Sequence, residues 1–383
     1  MARLTSKQNS SGAATAEVPV RKGPPRKRNR LAKRQNELTA LLRKRIIDNT
    51  YPPGCRLPIQ VDLLKEFNVS NITLQRAIDT LCREGFIEAR RRTGTFVVDH
   101  PPHLAHYALI IPGGSNTSIN SHFYQNIAAE ALLRNERLPG HLDLYYASDE
   151  SLYHPDFRRL CEMVTRHLYA GLIFASSPHK FEKTPILNEP GIPRAVVASR
   201  AVYAIPVMYP NPNQCDLGLA TLAAKGARNI AVVTFSCEAY PYSLFEGKVA
   251  QFGLRSHPDW YGSFTHLQPP GLRSFIRILL SNPKERPIDG IFILDDHLTE
   301  IVMEAIASLG PEVVERIHIV TTGNFPLHQQ PTLPATVIGV HAKDILDTAI
   351  ELIDAQRRGD QVAQENHLPI HLCHTGAGAG RVP

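Results

Sequence analysis

The chain is 383 residues long, 43% hydrophobic and 20% charged, a globular composition at a length that predicts two or three domains. Residues 1–34 carry ten Lys/Arg against the single acid Glu17, residues 35–98 carry ten against seven, and residues 99–383 carry 22 against 28. A basic front on a mildly acidic body predicts a polyanion partner at one end only. No run approaches the ~20 consecutive apolar residues of a membrane span, the N-terminus shows no apolar signal core, and six scattered cysteines (Cys55, Cys82, Cys161, Cys215, Cys237, Cys373) read as reduced thiols. A cytoplasmic protein without a membrane partner is the expectation.

Residues 1–34, rich in Ser, Ala, Gly, Pro and basic residues, are predicted to be a disordered basic tail. Leu38, Leu41, Leu42, Arg45, Ile46 and Ile47 then mark a helix with one apolar face, stopped by Pro52-Pro53-Gly54. A short helix is expected over about Gln60 to Phe67, with Leu63 and Leu64 inward. Asn68-Val69 turns the chain, and Ser70 caps a third helix whose inner positions are Leu74, Ala77, Ile78, Leu81 and Cys82. After Gly85, Phe86–Arg90 and Thr95–Val98 read as two strands joined by Arg91-Arg92-Thr93-Gly94. Three helices and a two-stranded ribbon over 35–98 make a winged helix-turn-helix.

The stretch YPPGCRLP…LLKEFNVSNITLQRAIDTLCREGFIEARRRTGTFV resembles the DNA-binding domain of GntR-family bacterial transcription regulators. The resemblance rests on Pro53-Gly54, Leu57-Pro58, Leu64, Phe67, Val69-Ser70, Thr73, Ala77, Leu81, Gly85-Phe86-Ile87 and Gly94-Thr95-Phe96-Val97. A recognition helix puts its first turn into the major groove, where Gln60, Ser70, Asn71, Ile72, Thr73, Gln75 and Arg76 would meet DNA. Arg90, Arg91, Arg92, Thr93 and Gly94 of the wing suit a phosphate strand or minor groove. The sequence departs from the family in places. Ile59-Gln60-Val61 replaces the usual Ser-Glu-Arg, Asn71 and Gln75 stand where arginines are common, and the wing tip is Arg91-Arg92-Thr93 instead of a glycine-containing turn.

Residues 99–105 read as a short stiff linker. Strand-like runs (Tyr107–Ile111, Leu142–Tyr146, Gly171–Ala175, Arg194–Ala198, Pro206–Tyr209, Asn229–Thr234, Gly290–Leu294, Ile317–Thr321) then alternate with helical segments near 122–136, 155–169, 213–225, 271–281, 297–309 and 343–358. That alternation predicts a two-lobed α/β domain with parallel sheets over 106–375, followed by a flexible C-terminus over 376–383. YALIIP…HFYQNIAAEAL, GLATLAAKGARNIAVVT, PIDGIFILDDHLTEIVMEAIASLG and LPATVIGVHAKDILDTAIELIDAQRRGD together resemble the effector-binding domain of LacI-type regulators, a type I periplasmic-binding-protein fold. A GntR-type head on such a body resembles the arabinose-repressor architecture. The fold class is thus multidomain: an N-terminal winged helix-turn-helix plus a two-lobed body.

Ligands of such folds sit at the carboxyl ends of strands. Candidates there are Phe123 and Tyr124, Ser176, Arg200, Tyr242, Asp295 and Asn324, with aromatics for a sugar or apolar face and polar groups for hydroxyls or a carboxylate. Asp295 reads equally as a helix cap, and Phe123 and Tyr242 equally as core aromatics. Leu244 stands where the family often has a sugar-binding arginine. His371-Leu372-Cys373-His374 offers metal-ligand types without a second cluster, and no Walker loop, Rossmann fingerprint, GxSxG or HExxH occurs. The expectation is a non-enzymatic, cofactor-free regulator, most simply a repressor. It would act as a homodimer on a double-stranded operator under control of a small-molecule effector, with a sugar as the candidate class. The alternatives are a winged helix fused to an enzymatic body, which would need a pyridoxal lysine and more chain, and a small-molecule-binding module that no longer answers to DNA.

Overall fold

The computed structural model describes residues 25–112, 122–137, 140–147, 155–198, 203–235, 242–264, 269–327 and 330–375. The chain divides into two compact units, 1–98 and 99–383.

In the first unit, α1 (Pro25–Ile47), α2 (Gln60–Phe67) and α3 (Asn71–Arg83) precede an antiparallel ribbon of β1 (Ile87–Arg90) and β2 (Gly94–Val97). Leu38, Leu42 and Ile46 of α1 join Leu63, Leu74, Ala77, Leu81, Phe86 and Val97 in the core. Leu41, read as inward, is 42% exposed; the buried stripe follows i, i+4, i+8 and leaves it on the flank. Asn68 makes the α2–α3 turn in the left-handed region at φ 47°, a conformation asparagine tolerates. Helix α1 begins ten residues before the expected boundary and takes in residues 25–34, while residues 1–24 of the expected tail lie outside the described residues. Pro25 is pre-set for a first helical position, and the Arg/Lys-rich sequence that follows has high helix propensity.

The second unit opens with α4 (Pro102–Ala105), so the expected linker ends in a helical turn, its Pro101 and Pro102 buried. One lobe contains β3 (His106–Pro112), α5 (His122–Arg137), β4 (His141–Ala147), α6 (Pro155–Thr165), β5 (Gly171–Phe174), α7 (Pro185–Asn188), β6 (Arg194–Val197) and β7 (Val207–Pro210). The chain then crosses into the other lobe for α8 (Gln214–Ala224), β8 (Ile230–Thr234), α9 (Tyr242–Gln251), β9 (Tyr261–Ser263), α10 (Pro269–Leu280), β10 (Gly290–Ile293), α11 (Thr299–Ala307), α12 (Pro311–Arg316), β11 (His318–Phe325) and β12 (Ala335–His341). It returns for α13 (Ala342–Arg358) and β13 (Glu365–Leu368), and crosses a third time into β14 (His371–Thr375).

The first lobe's sheet runs β13-β7-β6-β5-β3-β4, parallel throughout; the second runs β14-β12-β11-β10-β8-β9, parallel except for β14. Apolar clusters cover both faces of each sheet, as parallel sheets require. The eight predicted strands are all present. Four strands lie outside the sequence reading: the central β12, and the edge strands β9, three residues long, β13, which carries polar residues, and β14, which contains the His-Leu-Cys-His run. Between β11 and β12, Gly339 lies opposite Gly323, and a Cβ on Gly339 would meet the Gly323 carbonyl at 1.7 Å. The two strands can approach that closely only because neither has a side chain there.

Candidate functional site

The DNA-facing candidates lie on the tip of the first unit. Ser70 caps α3, its Oγ accepting from Thr73 N at 3.3 Å. Thr73 is buried and shares its hydroxyl with Ser70 Oγ at 2.8 Å, so it holds the cap in place. Gln60, Asn71, Ile72, Gln75 and Arg76 are exposed. Gln60 Nε2 donates to Asn71 Oδ1 at 2.5 Å, and Gln75 Nε2 donates to Asp79 Oδ1 at 2.9 Å.

On the wing, Arg90 pairs with Glu88 at 2.6 Å and lies over the Phe96 ring at 4.5 Å, while Arg91, Arg92 and Thr93 stand exposed at the tip. Thr93 N donates to Arg90 O at 3.1 Å and closes the turn. Arg56, which sequence reading did not single out, lies exposed over the wing root: a Cβ on Gly94 would meet its Nε at 2.7 Å. Its bridge partner is Phe96, a pairing that local sequence does not signal.

That turn puts Arg92 at φ 66°, the seat that glycine takes in type II turns. A non-glycine residue there costs about 1–2 kcal/mol, and glycine's greater unfolded-state freedom offsets part of that. Arg92→Gly is therefore expected to stabilise the first unit by about 0.5–1 kcal/mol while weakening DNA binding and lowering its salt dependence by about one phosphate contact. Denaturant unfolding alongside DNA titration at two salt concentrations checks both halves. A variant that is no more stable, or binds as before, refutes the corresponding half.

In the second unit Tyr124, Ser176, Asp295 and Asn324 lie after or at the ends of strands β3, β5, β10 and β11, and Asn324 accepts a hydrogen bond from the other lobe. Phe123 and Tyr124, in the first turn of α5, are half-buried against the first lobe's core and form an edge-to-face pair with centroids 5.2 Å apart. The Tyr124 hydroxyl is bonded to Ser176, just past β5; burial pushes its pKa up, and the Ser176 bond opposes this. Asn324, near the end of β11, donates through Nδ2 to Asp296 Oδ2 at 2.9 Å. Asp295 caps the following turn by accepting from His297 N at 3.0 Å, the helix-cap alternative. Tyr242, at the start of α9, stacks edge-on against Tyr261 and keeps a buried hydroxyl with no hydrogen-bond partner among the described residues. Arg200 lies outside the described residues, and so does the conformation of the Leu244 side chain.

Three residues missed by the sequence reading organise this region. Asn126 is 6% exposed and donates through Nδ2 to Asn324 O at 3.1 Å and Pro326 O at 2.9 Å, bridging the lobes. An amide on a helix face otherwise occupied by Ile127, Ala128 and Ala131 was the available signal. His297 Nδ1 lies 2.7 Å from Asp295 Oδ1 and 3.2 Å from Asp296 Oδ1. The bond to Asp295, then that to Asp296, pushes its pKa up to about 10, so it is a cation at neutral pH. Burial pushes Asp296 up, but His297 and Asn324 outweigh it and hold the carboxyl below its ordinary range. Asp295, Asp296 and His297 have ligand atoms within 4.8 Å of one another, yet a metal would have to displace the imidazolium proton. Beside them an open recess of about 490 Å³ is lined by His122, Asp296, Thr299, Met303, Asn324 and Val337 among others. Of the six predicted ligand residues that are described, Asn324 borders it.

Comparison with known proteins matches this division. Residues 34–97 match the family model for bacterial regulatory proteins of the gntR family. Over 57 residues the chain is 44% identical to the HTH-type transcriptional regulator GmuR of Bacillus subtilis (strain 168), which is 15% of this chain and 24% of that protein. The chain thus spans about a quarter of the length of the curated relatives it matches. Among solved structures, a probable maltose operon transcriptional repressor from Staphylococcus aureus superposes with a TM-score of 0.52 at 14% identity, over 71% of this chain and 96% of that one. A complex of the transcriptional regulator CelR with cellobiose gives 0.51 at 16% identity, over 79% and 90%. Residues 34–97 thus form a winged helix-turn-helix that matches the gntR family, and the body that follows is a two-lobed α/β domain with the fold of these two regulator structures.

Proposed function

We propose that this protein is a ligand-responsive transcription regulator that binds operator DNA through its head and a small molecule, of the sugar class, between the lobes of its body. The observation that carries the reading is the pairing of two sites in one chain. The head ends in an exposed, cation-rich tip matching a DNA-binding family. The body's lobes are bridged at the strand ends by Asn126 and joined by three chain crossings. The regulators with similar bodies include one named for maltose and one solved with cellobiose, which supports the sugar class. Family and fold point to regulation without catalysis. In this reading the protein acts as a homodimer and repressor in the cytoplasm. Phe123 and Tyr124 stack on the sugar, Ser176, Asn324 and Arg200 bind its hydroxyls, and Tyr242 offers its hydroxyl from the second lobe.

Ligand closure of the lobes changes the fit of paired heads to two half-sites, a coupling on the order of 1–3 kcal/mol. A panel of sugars and sugar acids tested by thermal shift is expected to yield a ligand that stabilises the body by about 2.7 kcal/mol at a hundredfold excess over Kd. Asn126→Ala, which removes the lobe bridge, is expected to change that ligand's affinity and its effect on DNA binding together. Failure of every sugar to shift the body's melting overturns the sugar assignment. A ligand that binds without altering DNA affinity overturns the regulatory one.

A further inference from the structure

The tip of the head exposes three apolar side chains. Ile59 and Val61 are each 54% exposed at the start of α2, and Ile72 is 67% exposed in the first turn of α3. None is required by the core, which Leu63, Leu74, Ala77 and Leu81 fill from the same helices. Between them, Gln60 reaches across from α2 to Asn71, and the two exposed amides hold each other through the Nε2–Oδ1 hydrogen bond.

The chemistry left over is directional. Each amide has one oxygen and two N–H groups. The mutual bond uses an N–H of Gln60 and the oxygen of Asn71, so the pair retains Gln60 Oε1 as an acceptor and Asn71 Nδ2 as a donor. Adenine presents the complement in the major groove, a donor at N6 and an acceptor at N7; guanine presents two acceptors, and its O6 would face the Gln60 oxygen. The mutual bond also restrains both side chains before any partner arrives, which lowers the ordering cost of recognition. Ile72, next in sequence to Asn71, offers an aliphatic surface, and thymine is the base with a C5 methyl in that groove. The exposed cations Arg76, Arg91 and Arg92 on the same unit favour a polyanion over an apolar peptide as the occupant.

We infer that Gln60 and Asn71 act together as one reader of adenine, with Ile72 packing on a thymine methyl at or beside the same base pair, so that the head selects A·T under the first turn of α3. The inference rests on the reading that the head binds duplex DNA in the major groove. It differs from what arginines at these positions would do, since arginine pairs with guanine O6 and N7.

The test uses the full-length protein and selection from a duplex library with a randomised core. The base pair read by the amides is the one whose preference changes in Asn71→Ala. At that pair the wild type is expected to prefer adenine over guanine by about 5- to 150-fold, and Gln60→Ala and Asn71→Ala each flatten the preference. Replacing thymine by uracil removes only the methyl and is expected to cost the wild type about fourfold; Ile72→Ala abolishes that difference. All three residues are exposed, so the variants fold, which circular dichroism verifies. Guanine at the affected pair, an adenine preference unchanged in both amide variants, or a thymine-to-uracil ratio unchanged in Ile72→Ala overturns the inference while leaving DNA binding intact. If the wild type enriches no duplex even at low salt, DNA recognition by the head fails and the inference fails with it.

Discussion

Glu84→Ala is expected to remove about 3–5 kcal/mol of stability from the winged-helix head, the loss typical of breaking a buried ion pair from one side. Arg43, on α1, is 8% exposed, and its Nη2 lies 2.6 Å from Glu84 Oε2, with both side chains 10% exposed. The guanidinium also sits 5.8 Å from the Phe86 ring centroid, so it cannot turn to water without leaving the core. With Glu84 gone, the cation remains in a low-dielectric site and retains little beyond its ring contact. A module of about 65 residues has a total stability of only about 3–10 kcal/mol, so much of the head would unfold at 37 °C.

Because the head and body are separate compact units, the loss should appear as an early transition in denaturant that abolishes DNA binding, with the body's transition unmoved. Replacing both partners by apolar residues (Arg43→Met with Glu84→Leu) is expected to recover most of the stability, since no charge is then left buried. A loss below about 1 kcal/mol for Glu84→Ala, as for a surface pair, would refute the argument. So would a double variant as weak as the single.

Neutralising the basic start of α1 is expected to change the salt dependence of DNA binding more than any substitution on the wing. The family match begins at residue 34, yet the helix continues back to Pro25, adding nine residues or about 13.5 Å. Arg34 Nη2 donates to Asn68 O at 2.7 Å, which fixes this end of α1 beside the turn that leads into α3. Residues 25–34 contain Arg26, Lys27, Arg28, Arg30, Lys33 and Arg34 and no acid. Each phosphate contact contributes about 0.9 to the slope of log K against log salt. Exchanging Arg26, Lys27, Arg28 and Arg30 for Ala should lower the slope's magnitude by up to about 3.6. Over a fourfold rise in salt the wild type would then lose about 150-fold more affinity than the variant. Alanine preserves helix propensity, and Arg34 stays in place. Titrations of one selected duplex at several salt concentrations measure the slope; equal slopes would show that the extension does not touch DNA.

Much of this protein is determined within a few residues of each position, and that part was legible in the sequence. Ser70 caps α3 because its hydroxyl is in reach of an N–H three residues on. Asn68 turns the chain because it tolerates the left-handed region. The β3, β5, β8 and β10 strands form because short, mostly apolar runs can be buried on both faces. The exposed tip proposed to meet DNA was legible for the same reason, since helix phase alone places Asn71, Ile72, Gln75 and Arg76 outward.

What tertiary structure alone decided depends on partners that are close in space but far apart in the chain. Arg43 meets Glu84 41 residues away, and Asn126 meets Asn324 and Pro326 about two hundred residues away. Gly323 and Gly339 matter only once β11 and β12 lie side by side. The placement of β13 in one sheet and β14 in the other follows from a third crossing that no local pattern encodes. The proposed ligand cleft belongs to this second class. Its residues come from separate elements of two lobes, the start of α5 and the segment after β5 in one and β11 in the other, so composition could nominate Tyr124, Ser176 and Asn324, but only the fold could bond Tyr124 to Ser176 and Asn324 to Asp296. Capping, helix phase and turn conformation are set by covalent neighbours, whereas a buried charge pair or a lobe bridge depends on where the chain returns.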